Sequence, residues 1–223
     1  MCEDEKYAMH FRPIMSTPES DDSPLRLRLA RHPVFAWMGL RPVFAQHTLS
    51  EHEALRRWAA GRAHLVEIGV AEGASAGALA EAMAPMGTLT LIDPFHLSRW
   101  KRINATKRLA HAVVSRVARG RVVWVEQMSS EALRCWKAQI DFLFIDGDHH
   151  EQTVLQDWTG WCAFVARGGV VIFHDARVFP GGWPGPSDGP VRAVNEMFRG
   201  PTALPDWQIV DEVHSLVVVQ RER

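Results

Sequence analysis

Five short apolar runs, separated by stretches of helical character, constrain this chain more than any other feature. They are Leu65-Val66-Glu67-Ile68, Thr88 to Ile92, Arg121 to Val125, Phe142 to Ile145 and Val170 to Phe173. Such runs are apolar on both faces, as parallel strands covered by helices are. Helical patterns fill the gaps: Ser75 to Met83, Ile103 to Ala118, Glu131 to Ala138 and Thr153 to Val165. The alternation predicts an α/β, doubly wound, Rossmann-like sheet. A helix near Val191 to Phe198 and two last strands, near Gln208 to Val210 and Leu216 to Val219, follow. These strands are expected to close the sheet with antiparallel pairing. Ahead of the first strand, Ser50-Glu51-His52-Glu53 has the spacing of a capping box, and Gly61 marks the end of that helix.

The division expected is an N-terminal segment, residues 1–47, partly disordered with helical pieces, and one α/β domain over residues 48–223. The segment carries Pro13, Pro18 and Pro24 and the polar run Glu19-Ser20-Asp21-Asp22-Ser23. A net charge of -1 gives no reason to expect nucleic acid or an acidic membrane as partner. No apolar run reaches the length of a membrane span, and the acidic start Glu3-Asp4-Glu5 is unlike a signal peptide. Cys2, Cys135 and Cys162 form no disulfide framework, so a reducing cytoplasm is the simplest home. The nine tryptophans are expected in the core or around a pocket. Between Pro94 and Val125 stand eight Lys or Arg and no acid. That run is read as a solvated helix face, with an anionic acceptor as the alternative.

The first strand runs into Gly69-Val70-Ala71-Glu72-Gly73-Ala74-Ser75. A strand, a small-residue turn and a helix start make a cofactor cradle, because glycine lets the backbone approach a ligand and the helix N-terminus favours a negative group. A phosphate-binding P-loop needs a lysine there, and none lies between Lys6 and Lys101. A short-chain dehydrogenase needs a tyrosine downstream, and the only one is Tyr7. Gly73-Ala74-Ser75-Ala76-Gly77 matches a serine-hydrolase elbow in letters but falls after the first strand, too early in the sheet. At the end of the second strand, Asp93 suits both ribose hydroxyls of an adenosine; a helix N-cap is the other reading.

Polar residues gather at two further strand ends: Asp146-Gly147-Asp148-His149-His150, and His174-Asp175. Adjacent parallel strands bring such ends together at the ligand-binding edge. Asp146, His174 and Asp175 are therefore expected to converge on one cation.

Taken in order, Glu67-Ile68-Gly69 with Gly73 and Ser75, Ile92-Asp93-Pro94-Phe95, Phe144 to His149, and Gly168 to Asp175 resemble the class I S-adenosylmethionine-dependent methyltransferases. The likeness runs over residues 60–220 and is nearest the metal-dependent sugar O-methyltransferase branch, with catechol-type enzymes further off. It implies a seven-stranded sheet with one antiparallel strand at its C-terminal end. It places the methionine part of S-adenosyl-L-methionine at Glu67, Gly69, Gly73 and Ser75, the ribose at Asp93, and the adenine beside Met128 and Ser129. Asp146 borders cofactor and metal alike. Magnesium is the metal implied at Asp146, His174 and Asp175. In the sugar branch an acid stands where His174 does, so manganese or zinc are alternatives. His149 falls where relatives keep a general base, and a hydroxyl needs its proton removed before it attacks; His150 is the rival, with Asp148 as helix cap.

The expected activity is methyl transfer to a sugar hydroxyl of a saccharide or glycosylated metabolite, with S-adenosylhomocysteine as product. Alternatives are a phenolic acceptor, a metal-dependent hydrolase using the Asp/His cluster, and a non-catalytic cofactor-binding module. The loop Phe179 to Pro186 is expected to act as a lid, Trp183 stacking on the acceptor. A homodimer is implied by the resemblance alone.

Overall fold

The computed structural model describes residues 33–38, 40–96, 104–201 and 203–222. Most of the expected N-terminal segment, with Cys2 and Tyr7, lies outside the described residues, as do Arg99, Lys101 and Arg102 of the basic run. The elements in chain order are α1 (Pro33–Trp37), α2 (Leu49–Ala59), β1 (His64–Ile68), α3 (Ala74–Ala82), β2 (Thr88–Ile92), α4 (Ala105–Val117), β3 (Arg121–Val125), α5 (Ser129–Leu133), β4 (Ile140–Ile145), α6 (Glu151–Trp161), β5 (Val165–Phe173), α7 (Gly189–Phe198), β6 (Trp207–Val213) and β7 (Leu216–Arg221).

The seven strands lie in the order β3-β2-β1-β4-β5-β7-β6. Pairs from β3 across to β5 are parallel, and β7 is antiparallel to both β5 and β6. This is the expected doubly wound sheet with one reversed strand. The strand order turns back between β1 and β4, which opens a crevice at their C-terminal ends.

Alternate strand residues feed two cores, as the twofold side-chain period requires. On one face Leu65, Leu89, Leu91, Phe142, Phe144 and Ile172 pack against Ala54, Leu55, Leu79 and Val114 of α2, α3 and α4. On the other, Val66, Leu143, Val171, Phe173 and Val217 pack against Val154, Trp158 and Trp161 of α6 and Val194 and Met197 of α7. Trp158 meets Phe198 and Trp207 edge-on at 4.9 and 4.7 Å, the geometry aromatic quadrupoles favour. These indoles therefore build core rather than pocket.

Three local expectations shift. The capping box of α2 is Thr48 with Glu51, not Ser50 with Glu53: Glu51 N–H donates to Thr48 Oγ1 and Thr48 N–H to the Glu51 carboxylate. Glu51 is free to do this because its other oxygen accepts from the Ser215 N–H and hydroxyl, tying the helix start to the β6–β7 turn. The helix after β3 is shorter and earlier than Glu131 to Ala138, spanning Ser129–Leu133. The cap of α6 is His150; Asp148 instead accepts from the His150 N–H at 2.9 Å.

Candidate active site

β1 delivers the glycine turn to the crevice. Gly69 has φ +86°, and a Cβ there would lie 2.0 Å from the Asp146 carbonyl oxygen. Only glycine lets β1 and β4 exit so close together. Asp93, at the end of β2, fastens the same turn: one oxygen accepts from Val70 N–H at 2.9 Å and Ala71 N–H at 3.1 Å, the other from Phe95 N–H at 2.7 Å. Carboxylate bonds of this kind, to several backbone donors, fix a loop firmly. Ala71 and Phe95 are themselves left-handed, at φ 47° and 42°. The turn between β1 and α3 is thus held in a conformation that costs energy, as binding loops often are.

Around this turn lies a cavity of about 390 Å³, within the range of cofactor pockets. Gly69, Ser75, Asp93, Met128, Ser129 and Asp146 line it, six of the eight residues expected to bind cofactor. The other two sit behind. Glu67 is fully buried and accepts the Ser75 hydroxyl hydrogen bond at 2.5 Å; burial pushes its pKa well above the usual carboxylate range. Glu67 therefore orients the Ser75 hydroxyl from behind the cavity wall. Gly73 caps α3 and rests on Ala110 of α4.

Two parts of the lining carry no signal in the sequence. Phe44, Gln46 and His47 reach it from the chain ahead of α2. That segment is anchored by Arg41, whose guanidinium grips Glu72 at 2.6 and 2.9 Å, and by the Phe44 N–H on the same carboxylate at 2.9 Å. His47 stacks on His52, and burial first, then the His52 charge, lowers its pKa to about 4, so it is neutral. Asp157 of α6 accepts from the Ser129 hydroxyl at 2.5 Å, and burial raises its pKa. No motif marks these residues; only the fold brings them in.

The Asp/His cluster does assemble. Asp146 follows β4, and His174 and Asp175 follow β5, whose His174 N–H reaches back to the Ile145 carbonyl at 3.1 Å. His174 Nδ1 lies 3.0 Å from Asp146 Oδ1 and 3.3 Å from Asp175 Oδ1. These are ion-pair contacts at angles poor for hydrogen bonding, and both ring nitrogens and Asp146 Oδ1 are buried without a hydrogen bond. Burial works against charge on His174, yet Asp146 and then Asp175 hold its pKa up at about 9. Burial would raise Asp146, but His174 and then His149 bring it down to about 2. Asp175 adopts φ 52°, and Trp183 Nε1 donates to its Oδ1 at 2.6 Å.

His149 is half exposed, with Nδ1 3.4 Å from Asp175 Oδ2 and Nε2 3.9 Å from Asp146 Oδ1. The Asp146 carboxylate first, and then Asp175, raise its pKa above the imidazole norm against the opposing effect of burial. His150 points away, mostly exposed and paired with Asp148. The loop from β5 to α7 closes this side. Trp183 anchors it to Asp175, Phe179 stacks on His214 at 4.8 Å, and Gly189 rests so close to the next backbone that a Cβ would lie 2.3 Å from both the His149 carbonyl oxygen and the Glu151 nitrogen.

Among the described residues, no helix is long and apolar enough to cross a membrane. A family model described as a methyltransferase domain matches residues 66–176. Among solved structures, the O-methyltransferase TomG from Streptomyces achromogenes, in complex with S-adenosylmethionine, is 18% identical with a TM-score of 0.59, covering 90% of this chain and 91% of its own. An O-methyltransferase from Bacillus cereus in complex with S-adenosylhomocysteine is 18% identical with a TM-score of 0.58, covering 84% and 87%. A protein described as a putative O-methyltransferase from Klebsiella pneumoniae is 15% identical with a TM-score of 0.59, covering 90% and 91%. At such identities the likeness is one of fold, and the fold agrees with the family match. The chain therefore carries a methyltransferase domain, built on the seven-stranded fold that these structures share.

Proposed function

We propose that this methyltransferase uses S-adenosylmethionine to methylate a hydroxyl oxygen of a small acceptor, with His149 as general base and a sugar hydroxyl as the preferred target. The carrying observation is the position of His149. It stands over Asp146, which lines the cavity that also holds Asp93 and the glycine turn. The solved structures named as O-methyltransferases, two of them with this cofactor or its product bound, support the choice of chemistry.

The cavity fits the cofactor. The left-handed turn at Gly69, the Ser75 hydroxyl, the Asp93 carboxylate and the Met128-Ser129 corner offer small, polar and apolar surfaces in the order that methionine, ribose and adenine require. When bound, S-adenosylmethionine supplies an electrophilic methyl group. The chain's own residues prepare the acceptor. His149 takes the hydroxyl proton, and the carboxylates of Asp175 and Asp146 steady the imidazolium that results. Trp183 shields this side from water and offers a partly exposed ring face to the acceptor. Positioning and exclusion of water supply most of the rate. Residues 48–223 are assigned to this domain, with residues 41–47 adding a wall to its cavity.

Magnesium, expected at Asp146, His174 and Asp175, finds no matching donor set. Among the described residues, no group of three or more His, Cys, Asp or Glu side chains is arranged to hold a metal ion. Asp175 Oδ1 is engaged by the Trp183 N–H, and the His174 ring lies between the two carboxylates. No step is assigned to a metal.

Titration of the full chain with S-adenosylhomocysteine by calorimetry tests the cofactor; absence of binding removes the methyltransferase reading. A panel of saccharides and phenols with isotopically labelled cofactor tests the acceptor. Label on phenols and none on sugars moves the assignment to the phenolic class, which the Trp183 face would also accept.

A further inference from the structure

The sequence leads one to expect Asp146 and Asp175 to share a metal ion with a histidine. The structure shows them sharing the histidine. His174 has a side chain only 1% exposed, its Nδ1 lies 3.0 Å from one carboxylate and 3.3 Å from the other, and no water-filled gap separates the groups. Its ring is also packed edge-on against Phe144 at 6.2 Å and lies 6.2 Å from Trp183. Two buried carboxylates this close repel unless something positive stands between them. His149, which also pairs with these carboxylates, is half exposed and farther from both.

The backbone is shaped to keep this arrangement. Asp175 is left-handed at φ 52°, a conformation that is rare outside glycine, asparagine and aspartate. Its carboxylate is thereby turned to meet His174, His149 and the Trp183 N–H. A Trp183 N–H donated at 2.6 Å would compete with a cation for the same Asp175 oxygen.

We propose that the His174 ring occupies the place a divalent metal would take between Asp146 and Asp175, so that this enzyme is metal-independent and a carboxylate at position 174 would open a metal site. The proposal rests on the methyltransferase reading but concerns one residue of it. In this arrangement the ring does two things. It keeps Asp146 ionised at the wall of the cofactor cavity, and it fixes Asp175 as the partner of His149. His174 is thus a positioning residue, acting on the proton transfer through Asp175.

The probe is Mn2+, followed by electron paramagnetic resonance on the full chain after treatment with EDTA, with and without S-adenosylhomocysteine. The wild-type chain is expected to bind no Mn2+ at concentrations up to the millimolar range, and to turn over equally with EDTA or added Mg2+. His174→Asp and His174→Glu are expected to gain one equivalent of bound Mn2+. One tightly bound Mn2+ in the wild type, lost in Asp175→Asn, overturns the proposal, and so does turnover abolished by EDTA. The wild-type arm decides this even where a variant fails to fold. Folded variants that gain no Mn2+ remove the claim that ring and metal compete for one place. Calorimetry with S-adenosylhomocysteine on the same wild-type sample keeps the two readings apart: Mn2+ binding with intact cofactor binding sinks this proposal alone, whereas lost cofactor binding sinks the methyltransferase reading.

Discussion

At the scale of single residues, the proposed chemistry turns on His149. Its raised pKa follows from Asp146 first and Asp175 second. A base must be deprotonated to act, so turnover is expected to rise with pH through a midpoint above 6.5. His149→Ala should lower kcat by about a hundredfold or more, the usual worth of a positioned base, and leave S-adenosylhomocysteine affinity unchanged by calorimetry. Activity within a few-fold of wild type would assign the base elsewhere. Gly69 offers a test of structure instead. Gly69→Ala would put its Cβ 2.0 Å from a backbone oxygen at φ +86°. Strain of this kind costs about 1–3 kcal/mol before the clash is counted, so the Tm by calorimetry should fall by about 5 °C or more.

At the scale of elements, the segment ahead of α2 behaves as a strap across the cavity. It is held at one carboxylate, Glu72, by the Arg41 fork and the Phe44 N–H. Glu72 belongs to the turn proposed to cradle the cofactor, so loosening one is expected to loosen the other. Arg41→Ala is expected to speed S-adenosylhomocysteine dissociation about fivefold or more, since a charged hydrogen bond is worth about 1.5–3 kcal/mol. Stopped-flow fluorescence checks this, with Arg57→Ala as control, because Arg57 pairs with Asp211 away from the cavity. An unchanged rate would mean that the strap does not gate the site. This element was invisible in the sequence. Its residues have neither periodicity nor motif, and Arg41 and Glu72 are 31 positions apart. By contrast, each parallel strand announced itself through a short, doubly apolar run, because both its faces are covered. The Thr48 cap was misplaced for a different reason. Thr48 and Ser50 both offer a hydroxyl three residues ahead of a Glu, and the choice is made by Ser215, more than 160 residues away.

At the scale of the whole molecule, the site and the stability share groups. The His174 pKa is raised from 6.5 to about 9 in the folded chain. Its contribution is full below pH 6.5 and is lost as pH rises through about 9; His149, raised in the same sense, adds to that loss. His47 has the opposite sign: lowered to about 4, its contribution is complete above pH 6.5 and is lost on acidification. Above pH 6.5 only the falling limb remains from the histidines, so Tm is expected to decline between pH 6.5 and 9. In His174→Gln that decline should flatten, as scanning calorimetry across this range would show; an unaltered slope would deny His174 its ion pairs. The fold was legible because the strand order follows from connection rules that act on the whole chain. The cluster's location was legible for the same reason. Its internal arrangement was not, because the 3.3 Å approach of Asp175 to His174 depends on the turn of that one left-handed residue.

One contact carries a lesson for evolution and engineering. Gly189 begins α7 and touches the backbone of His149 and Glu151. The loop from β5 to α7 therefore does not hang freely between its ends. Its far end is a gauge block against which the base is set. Lengthening or exchanging the loop to recruit a new acceptor would shift that block and detune the base, unless the junction at Gly189 were preserved.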